Sequence, residues 1–372
     1  MKIVVLGTRG IPDIQGGVET HCQELYPRLV KLGCQVTLFT RKKYANKNLK
    51  QFKGVKLIHL PHPKSKSLEA IVHTFIGIIY ARFLNPDILH IHAIGPSLLA
   101  PFAKVLGLRV VTTNHGPDYD RQKWGKIAKI VLLLGEKFGT KYSDNIIVIS
   151  KTIKSILETK YNRSDSVLIP NGVNIPHRTT RSNYIKSLGI NKNEYILAVG
   201  RFVPEKGFQD LIQAYINLSK TKFKLVLVGN ADHETRFSKS LRHLALEHGV
   251  VLTGFIKGEK LNEIFSNARL FVIPSYHEGL PITLLEAMSY GLELLVSDIP
   301  ANLEIPLPEN SYFNIGNIAD LEKKLTEKLY SPSIPNKNVS TIQKYFNWDS
   351  IAFNTFNLYC EILIVKAASK MN

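Results

Sequence analysis

Short apolar runs alternate along the chain with longer stretches in which apolar positions recur every three or four residues. Ile3–Leu6, Val36–Thr40, Val55–Leu60, Ile88–Ile91, Arg109–Thr113, Asn145–Ile149 and Val167–Ile169 are of the first kind. Such runs, with no polar alternation, predict strands covered on both faces, as in a parallel sheet. Between them the spacing predicts helices. The first carries Val18, Cys22, Leu25, Leu29 and Leu32 on one side and stops at Gly33. Others are expected over Leu68–Leu84, Pro96–Val105, Trp124–Lys141 and Lys151–Tyr161. The pattern restarts with Tyr195–Val199, a helix at Phe208–Leu218, and strands at Lys224–Val228, Val250–Ile256 and Leu270–Ile273. A long helix from Phe346 to Lys366 closes it.

A βα alternation that begins twice within 372 residues predicts an α/β protein of two Rossmann-like domains. Their expected extents are 1–175 and 183–345, with 346–372 as a terminal helix. The linker falls at Ile175–Ser182, after Pro170-Asn171-Gly172-Val173-Asn174. No internal sequence repeat or low-complexity tract suggests a solenoid or a disordered scaffold.

Composition narrows this picture little: 44% apolar and 21% charged residues are ordinary for a globular protein. Cys22, Cys34 and Cys360 have neither metal spacing nor the numbers for a disulfide framework, so a reducing cytoplasm is expected. Ile71–Leu84, interrupted by His73, Thr74 and Arg82, is too short to span a membrane. Charge says more. The net charge is +18, and Arg41–Lys66 holds nine Lys/Arg and no acid. Nucleic acid is disfavoured, because no zinc spacing or RNA-binding signature accompanies the charge. An anionic membrane surface suits a basic loop better, and a solvated loop is the plain alternative.

The chemistry concentrates in Glu278–Met288, E-G-L-P-I-T-L-L-E-A-M, after a strand that ends in Pro274-Ser275. Pro281 suits a first helical position, so Glu278 and Gly279 fall on a loop at a strand's carboxyl end, where open α/β sheets bind ligands. Helix N–H groups and their dipole favour a phosphate there. Glu286, about a turn further on, can accept hydrogen bonds from two sugar hydroxyls, as a ribose offers. Upstream, Gly200-Arg201-Phe202-Val203-Pro204-Glu205-Lys206-Gly207 places a guanidinium fork and an ammonium on one short loop. That combination can clamp a diphosphate without metal.

These motifs resemble retaining glycosyltransferases of family four (group 1), which have the GT-B fold. The resemblance implies two Rossmann-like domains with a cleft between them and a C-terminal helix that crosses back onto the first. It makes Arg201 and Lys206 the phosphate clamp, Glu278 the holder of the donor sugar's hydroxyls and Glu286 the ribose contact. Gly279, Leu280, Ile282 and Thr283 line the same helix start, and Gly254-Phe255 falls where the family seats the nucleotide base. Leu294 stands where the family commonly has proline, which puts only local geometry in question. Glu304 matches a position on the rim.

The N-terminal stretch G-T-R-G-I-P-x-x-x-G-G-x-E-T resembles a bacterial subgroup that builds capsule, O-antigen and related polysaccharides. In it Gly16 and Gly17 would approach the donor diphosphate or the acceptor. The dinucleotide spacing G-x-G-x-x-G is absent. After Arg109–Thr113 comes Asn114-His115-Gly116-Pro117-Asp118-Tyr119-Asp120-Arg121-Gln122-Lys123-Trp124. Asp118-x-Asp120 could be a metal-binding D-x-D of the other glycosyltransferase fold, but that fold does not repeat a βα pattern twice. The subgroup's H-G-x-x-x-x-R-x-K-W instead points to His115 as the residue that reaches the donor sugar or the reacting centre. His90 and His92, two apart on a strand, have no further ligand nearby in sequence, and no metal is expected.

The function so implied is transfer of a hexosyl unit from a nucleoside-diphosphate sugar to a lipid-linked or oligosaccharide acceptor, with retention and without metal or other cofactor. The protein would work in the cytoplasm, peripherally at the plasma membrane. A sugar-nucleotide epimerase of the same fold is the alternative, and a non-catalytic nucleotide-sugar-binding protein is a third reading.

Overall fold

The first strand, Lys2–Leu6 (β1), is buried over its last four residues and lies between two parallel neighbours, Gln35–Arg41 (β2) and Ile88–His92 (β5). It is thus the hinge of the first sheet's strand order. The computed structural model describes residues 1–63, 68–120, 125–218, 221–332, 342 and 344–368. These form two units: Met1–Gly172 together with the chain from Trp348 onward, and Val173–Asn347.

Unit one carries an eight-stranded sheet ordered β3-β4-β2-β1-β5-β6-β7-β8. Its other strands are Gln51–Phe52 (β3), Val55–Leu60 (β4), Val110–Asn114 (β6), Asn145–Val148 (β7) and Val167–Leu168 (β8). All neighbours run parallel except β3 and β4, an antiparallel edge hairpin turned by Lys53 and Gly54, both at positive φ. So part of the expected basic loop is sheet edge. Lys64 and Lys66 lie outside the described residues.

Helices cover both faces of this sheet, as parallel crossovers demand. Helix Gly17–Lys31 packs through Cys22, Leu25, Tyr26 and Leu29 on one face. The same layer takes in Trp348, Ile351, Leu358 and Tyr359 of the terminal helix Trp348–Ala368. Trp348 lies so close to Gly172 that a Cβ there would come within 2.6 Å of its ring, and Arg28 Nε donates to Asp349 Oδ1 at 2.7 Å. The other face is covered by Glu69–Leu84 and Ala100–Val105, whose Ile78, Ala81, Ala100 and Ala103 meet Val4, Leu6, Leu89 and Ile91. The single helix expected at Pro96–Val105 is two short ones, Ile94–Ser97 and Ala100–Val105.

Unit two has six parallel strands in the order β11-β10-β9-β12-β13-β14. They are Tyr195–Val199 (β9), Lys224–Val228 (β10), Val251–Gly254 (β11), Leu270–Ile273 (β12), Leu294–Ser297 (β13) and Tyr312–Phe313 (β14). Its core joins Ile196, Leu227, Val272 and Leu295 to Phe208, Leu211, Leu241 and Leu325 from the helices. Leu294 pairs with Phe271 in regular parallel register, so the strand forms without the family's proline.

Candidate active site

In a doubly wound sheet the ligand site lies beyond the carboxyl ends of the two strands where the order reverses. In unit two these are β9 and β12, paired through Ile196–Leu270 and Leu197–Phe271. The loops that follow them are Gly200–Gly207 and Pro274–Pro281, the two stretches singled out above. They are tied together by backbone: Tyr276 N–H donates to Glu205 C=O at 2.9 Å. At Gly207, φ is +63° and a Cβ would sit 1.9 Å from the Pro274 carbonyl oxygen. Only glycine allows that approach.

The charged side chains meet across this junction. Lys206 Nζ lies 2.5 Å from Glu278 Oε1, and the same oxygen accepts from Ser275 Oγ at 2.7 Å. Burial pushes the Glu278 carboxyl up, but the Lys206 charge and the hydrogen bonds from Lys206 and Ser275 outweigh it and hold the group below its ordinary range. Arg201 Nη1 reaches Asp232 Oδ2 at 2.9 Å, a partner that nothing in the sequence suggested. Both cations expected to form a clamp therefore carry a carboxylate partner within the protein's own fold.

Helix Ile282–Ser289 begins one residue later than Pro281, which is its N-cap. Leu280 and Ile282 are buried, Gly279 and Thr283 half-buried, and Glu286 lies part-exposed a turn into the helix. Gly254 takes φ +69° with open space where a Cβ would be, and the ring of Phe255 beside it is 46% exposed. An exposed aromatic face at a strand end is a surface on which a nucleotide base can stack.

The switch point of unit one lies between β1 and β5, and its chemistry is more crowded than the sequence indicated. Gly16 caps helix Gly17–Lys31 at φ 149°, where a Cβ would come within 2.2 Å of Glu19 Oε2. Gly17 has open space. Glu19 accepts from Arg9 N–H at 3.0 Å and from its guanidinium at 3.1 Å, so this helix start brings its own carboxylate.

His115 follows β6 and presents Nε2 to His92 Nδ1 at 2.9 Å. The ring of His21, whose Nδ1 bonds Asn171 Oδ1 at 2.9 Å, lies 5.0 Å from that of His115. His92 Nε2 meets the Tyr26 hydroxyl. His90, stacked on His92 at 4.2 Å, is bonded through Nδ1 to Tyr359 and through Nε2 to Thr113 Oγ1 at 2.7 Å. Burial lowers all four imidazoles: His21 to about 4, His90 to about 3, and His92 and His115 well below their usual value.

Ligand nitrogens of His21, His92 and His115 fall within 4.8 Å of one another, a group that could hold a metal ion. Two imidazoles on one tetrahedral ion stand about 3.4 Å apart, so the His92–His115 hydrogen bond would have to open for an ion to enter. Sequence spacing gave no reason to join these residues. Asp118 and Asp120 fall in a single 3₁₀ turn, and neither belongs to a metal-ligating group among the described residues. Arg121, Lys123 and Trp124 lie outside the described residues.

With this geometry in place, comparison with known proteins decides the family. Residues 180–344 match the family of glycosyl transferases group 1, and residues 15–176 match glycosyltransferase family 4. The chain belongs to the group 1, family-four glycosyltransferases. Among its relatives is an uncharacterized glycosyltransferase of Methanocaldococcus jannaschii, 27% identical over 96% of this chain and 98% of that one. An amylovoran biosynthesis glycosyltransferase of Erwinia amylovora is 23% identical over 42% of this chain and 44% of its own. The crystal structure of HepE from Anabaena, in complex with UDP and glucose, superposes with a TM-score of 0.79 at 17% identity, over 97% of this chain and all of that one. The glycosyltransferase thus has the GT-B arrangement of two Rossmann-like domains with parallel sheets.

Proposed function

We propose that this glycosyltransferase moves a hexosyl unit, with retention of configuration and without a metal, from a nucleoside-diphosphate sugar to a lipid-linked or oligosaccharide acceptor. The setting is bacterial surface polysaccharide synthesis, at the cytoplasmic face of the plasma membrane. The observation that carries this reading is the junction of the Gly200–Gly207 and Pro274–Pro281 loops at the switch point of unit two. It sets Lys206 against Glu278 and keeps both near a helix start.

Arg201 and Lys206 neutralise the diphosphate as it leaves, which is electrostatic stabilisation of the transition state. The first turn of Ile282–Ser289, with Gly279, Leu280, Ile282 and Thr283, offers backbone to the phosphates. Glu286 takes the ribose hydroxyls, and Gly254-Phe255 takes the base. Glu278, anionic and held in place by Ser275, takes hydroxyls of the donor sugar. His115 acts on the donor sugar or the reacting centre, and Gly16 and Gly17 approach the diphosphate or the acceptor. A UDP ligand in a relative of the same fold, together with a polysaccharide-synthesis relative, supports the substrate class.

The test is a thermal-shift screen of UDP-, GDP- and dTDP-sugars, in which a ligand at 100 times its Kd adds about 2.7 kcal/mol. Turnover is then followed with and without acceptor, and the product anomer is read by proton NMR. Release of nucleoside diphosphate that depends on acceptor, with the donor's anomeric configuration kept, is the expected result. Conversion of the sugar nucleotide with no acceptor present overturns the transferase reading.

A further inference from the structure

We infer that unit one docks on an anionic lipid bilayer through the outer surface of three adjoining helices, Glu69–Leu84, Ala100–Val105 and Lys126–Tyr142. These helices form one layer. The ring of Phe75 stacks on that of Phe102 at 5.0 Å, which joins the first to the second. Lys104 reaches Asp144, just beyond the third, at 2.6 Å. The third is seated on Ile94–Ser97 so closely that a Cβ at Gly135 would come within 2.1 Å of the Ile94 carbonyl oxygen.

The outside of this layer is apolar where a solvated surface would be polar. Phe83 and Val105 are each 83% exposed and Ile127 80%, with Ile130, Phe75 and Ile79 also outward. Exposed apolar side chains are ordinary when scattered singly, whereas a contiguous group marks an interaction surface. Charge identifies what covers it. Arg82, Lys126, Lys137 and Lys141 are exposed and Lys129 half-exposed on these same helices. Both acids of the three helices are turned inward: Glu69 is bound by Arg41 and Tyr44, and Glu136 by Lys160 and Tyr161. Apolar side chains among cations, with no exposed acid on the three helices and Asp144 beside them bound by Lys104, complement an anionic bilayer. A second copy of the chain would bring like charges together across the contact, which disfavours self-association.

Of the basic stretch Arg41–Lys66, Arg41 is committed to Glu69, while Lys42, Lys43, Lys47, Lys50, Lys53 and Lys56 are exposed and can add to the attraction. No described helix is long and apolar enough to cross a membrane, so the docking is peripheral. This inference rests on the lipid-linked branch of the proposed acceptor, since it brings the enzyme to such a substrate.

The test is co-sedimentation of the full chain with phosphatidylcholine vesicles, with and without phosphatidylglycerol. Three proteins are compared: wild type, F83S/I127S/I130S, and K126Q/K129Q/K137Q. The substituted positions are exposed except Lys129, which is partly buried, and unchanged melting curves would confirm folding. Wild type should pellet only with phosphatidylglycerol present. The serine variant should partition roughly tenfold less or worse, and the glutamine variant should lose the lipid preference. The inference fails if wild type ignores anionic vesicles or if the serine variant binds as wild type does. It also fails if wild type dimerises in analytical ultracentrifugation and the serine variant does not, since a second copy would then cover the face. Nucleoside-diphosphate binding by thermal shift is scored separately in all three, so failure of the donor reading and failure of the docking surface remain distinct.

Discussion

Lys206 Nζ lies 2.5 Å from Glu278 Oε1 across the β9–β12 switch point, so one residue of the proposed phosphate clamp is also the counter-ion of the acid proposed to hold the donor sugar. Removing a charged partner costs about 1.5–3 kcal/mol. Lys206→Ala and Arg201→Ala should each lose about ten- to a hundredfold in kcat/KM. Lys206→Ala should also lower the melting temperature, because Glu278, with its side chain only 11% exposed, is left without its cation. The double variant K206A/E278Q should regain that stability but not activity. Equal activity in wild type and both single variants would remove the clamp from the mechanism.

The two glutamates should separate cleanly. Glu286→Gln weakens binding of the nucleoside diphosphate itself, since the ribose belongs to the leaving group. Glu278→Gln damages transfer but releases Lys206, so nucleotide affinity should hold or rise. Calorimetric titration with UDP, GDP and dTDP checks both, and unaltered affinity in Glu286→Gln means that the ribose is held elsewhere.

Gly207→Ala should be severely destabilising. The added methyl meets the Pro274 carbonyl oxygen at 1.9 Å in a backbone of φ +63°. A cost of about 3 kcal/mol or more is expected, read as a shift in denaturant midpoint. Gly17→Ala, with open space around its Cβ position, is the control and should stay near wild type.

Stability should depend on pH through the buried imidazoles. Their folded pKa values, about 4 for His21 and about 3 for His90, lie below the 6.5 of the unfolded chain. Unfolding therefore takes up protons below pH 6.5 and none well above it. Stability should be level above about pH 7 and fall as pH drops from 6.5 toward 4. The slope reaches at most about 1.4 kcal/mol per pH unit for each histidine. Urea midpoints at several pH values measure this, and His90→Asn should flatten the slope. A midpoint that rises on acidification contradicts the assignment.

Activity should survive chelation by EDTA, because the proposed clamp uses side-chain cations. Loss of activity with rescue by manganese would move the chemistry to Asp118 and Asp120. Loss with rescue by zinc would move it to His21, His92 and His115, whose nitrogens already converge.

The apolar runs and their spacing were enough, on their own, to determine the alternation of parallel strands and covering helices. Strands buried on both faces can contain almost nothing polar, and that constraint is written locally. The strands Gln51–Phe52 and Tyr312–Phe313 are two residues each and escaped notice, whereas the equally short Val167–Leu168 was legible because it lies in the apolar run Val167–Ile169. The loops that carry Arg201, Lys206 and Glu278 and the helix start before Glu286 were legible for a similar reason, since each stretch is contiguous and follows a strand.

What only the tertiary structure decided is who meets whom. Strand order permutes chain order, setting β1 beside β5 and β9 beside β12. Lys206 thereby reaches Glu278, and His21, His92 and His115 converge from three distant stretches. The continuous apolar run Ile130–Leu134 also concealed which side faces out, because every side of that helix is apolar there. Packing alone buries Leu132 and leaves Ile130 exposed. Lateral neighbours and the inside or outside of such a helix depend on how the sheet is assembled, and one-dimensional spacing carries no record of that.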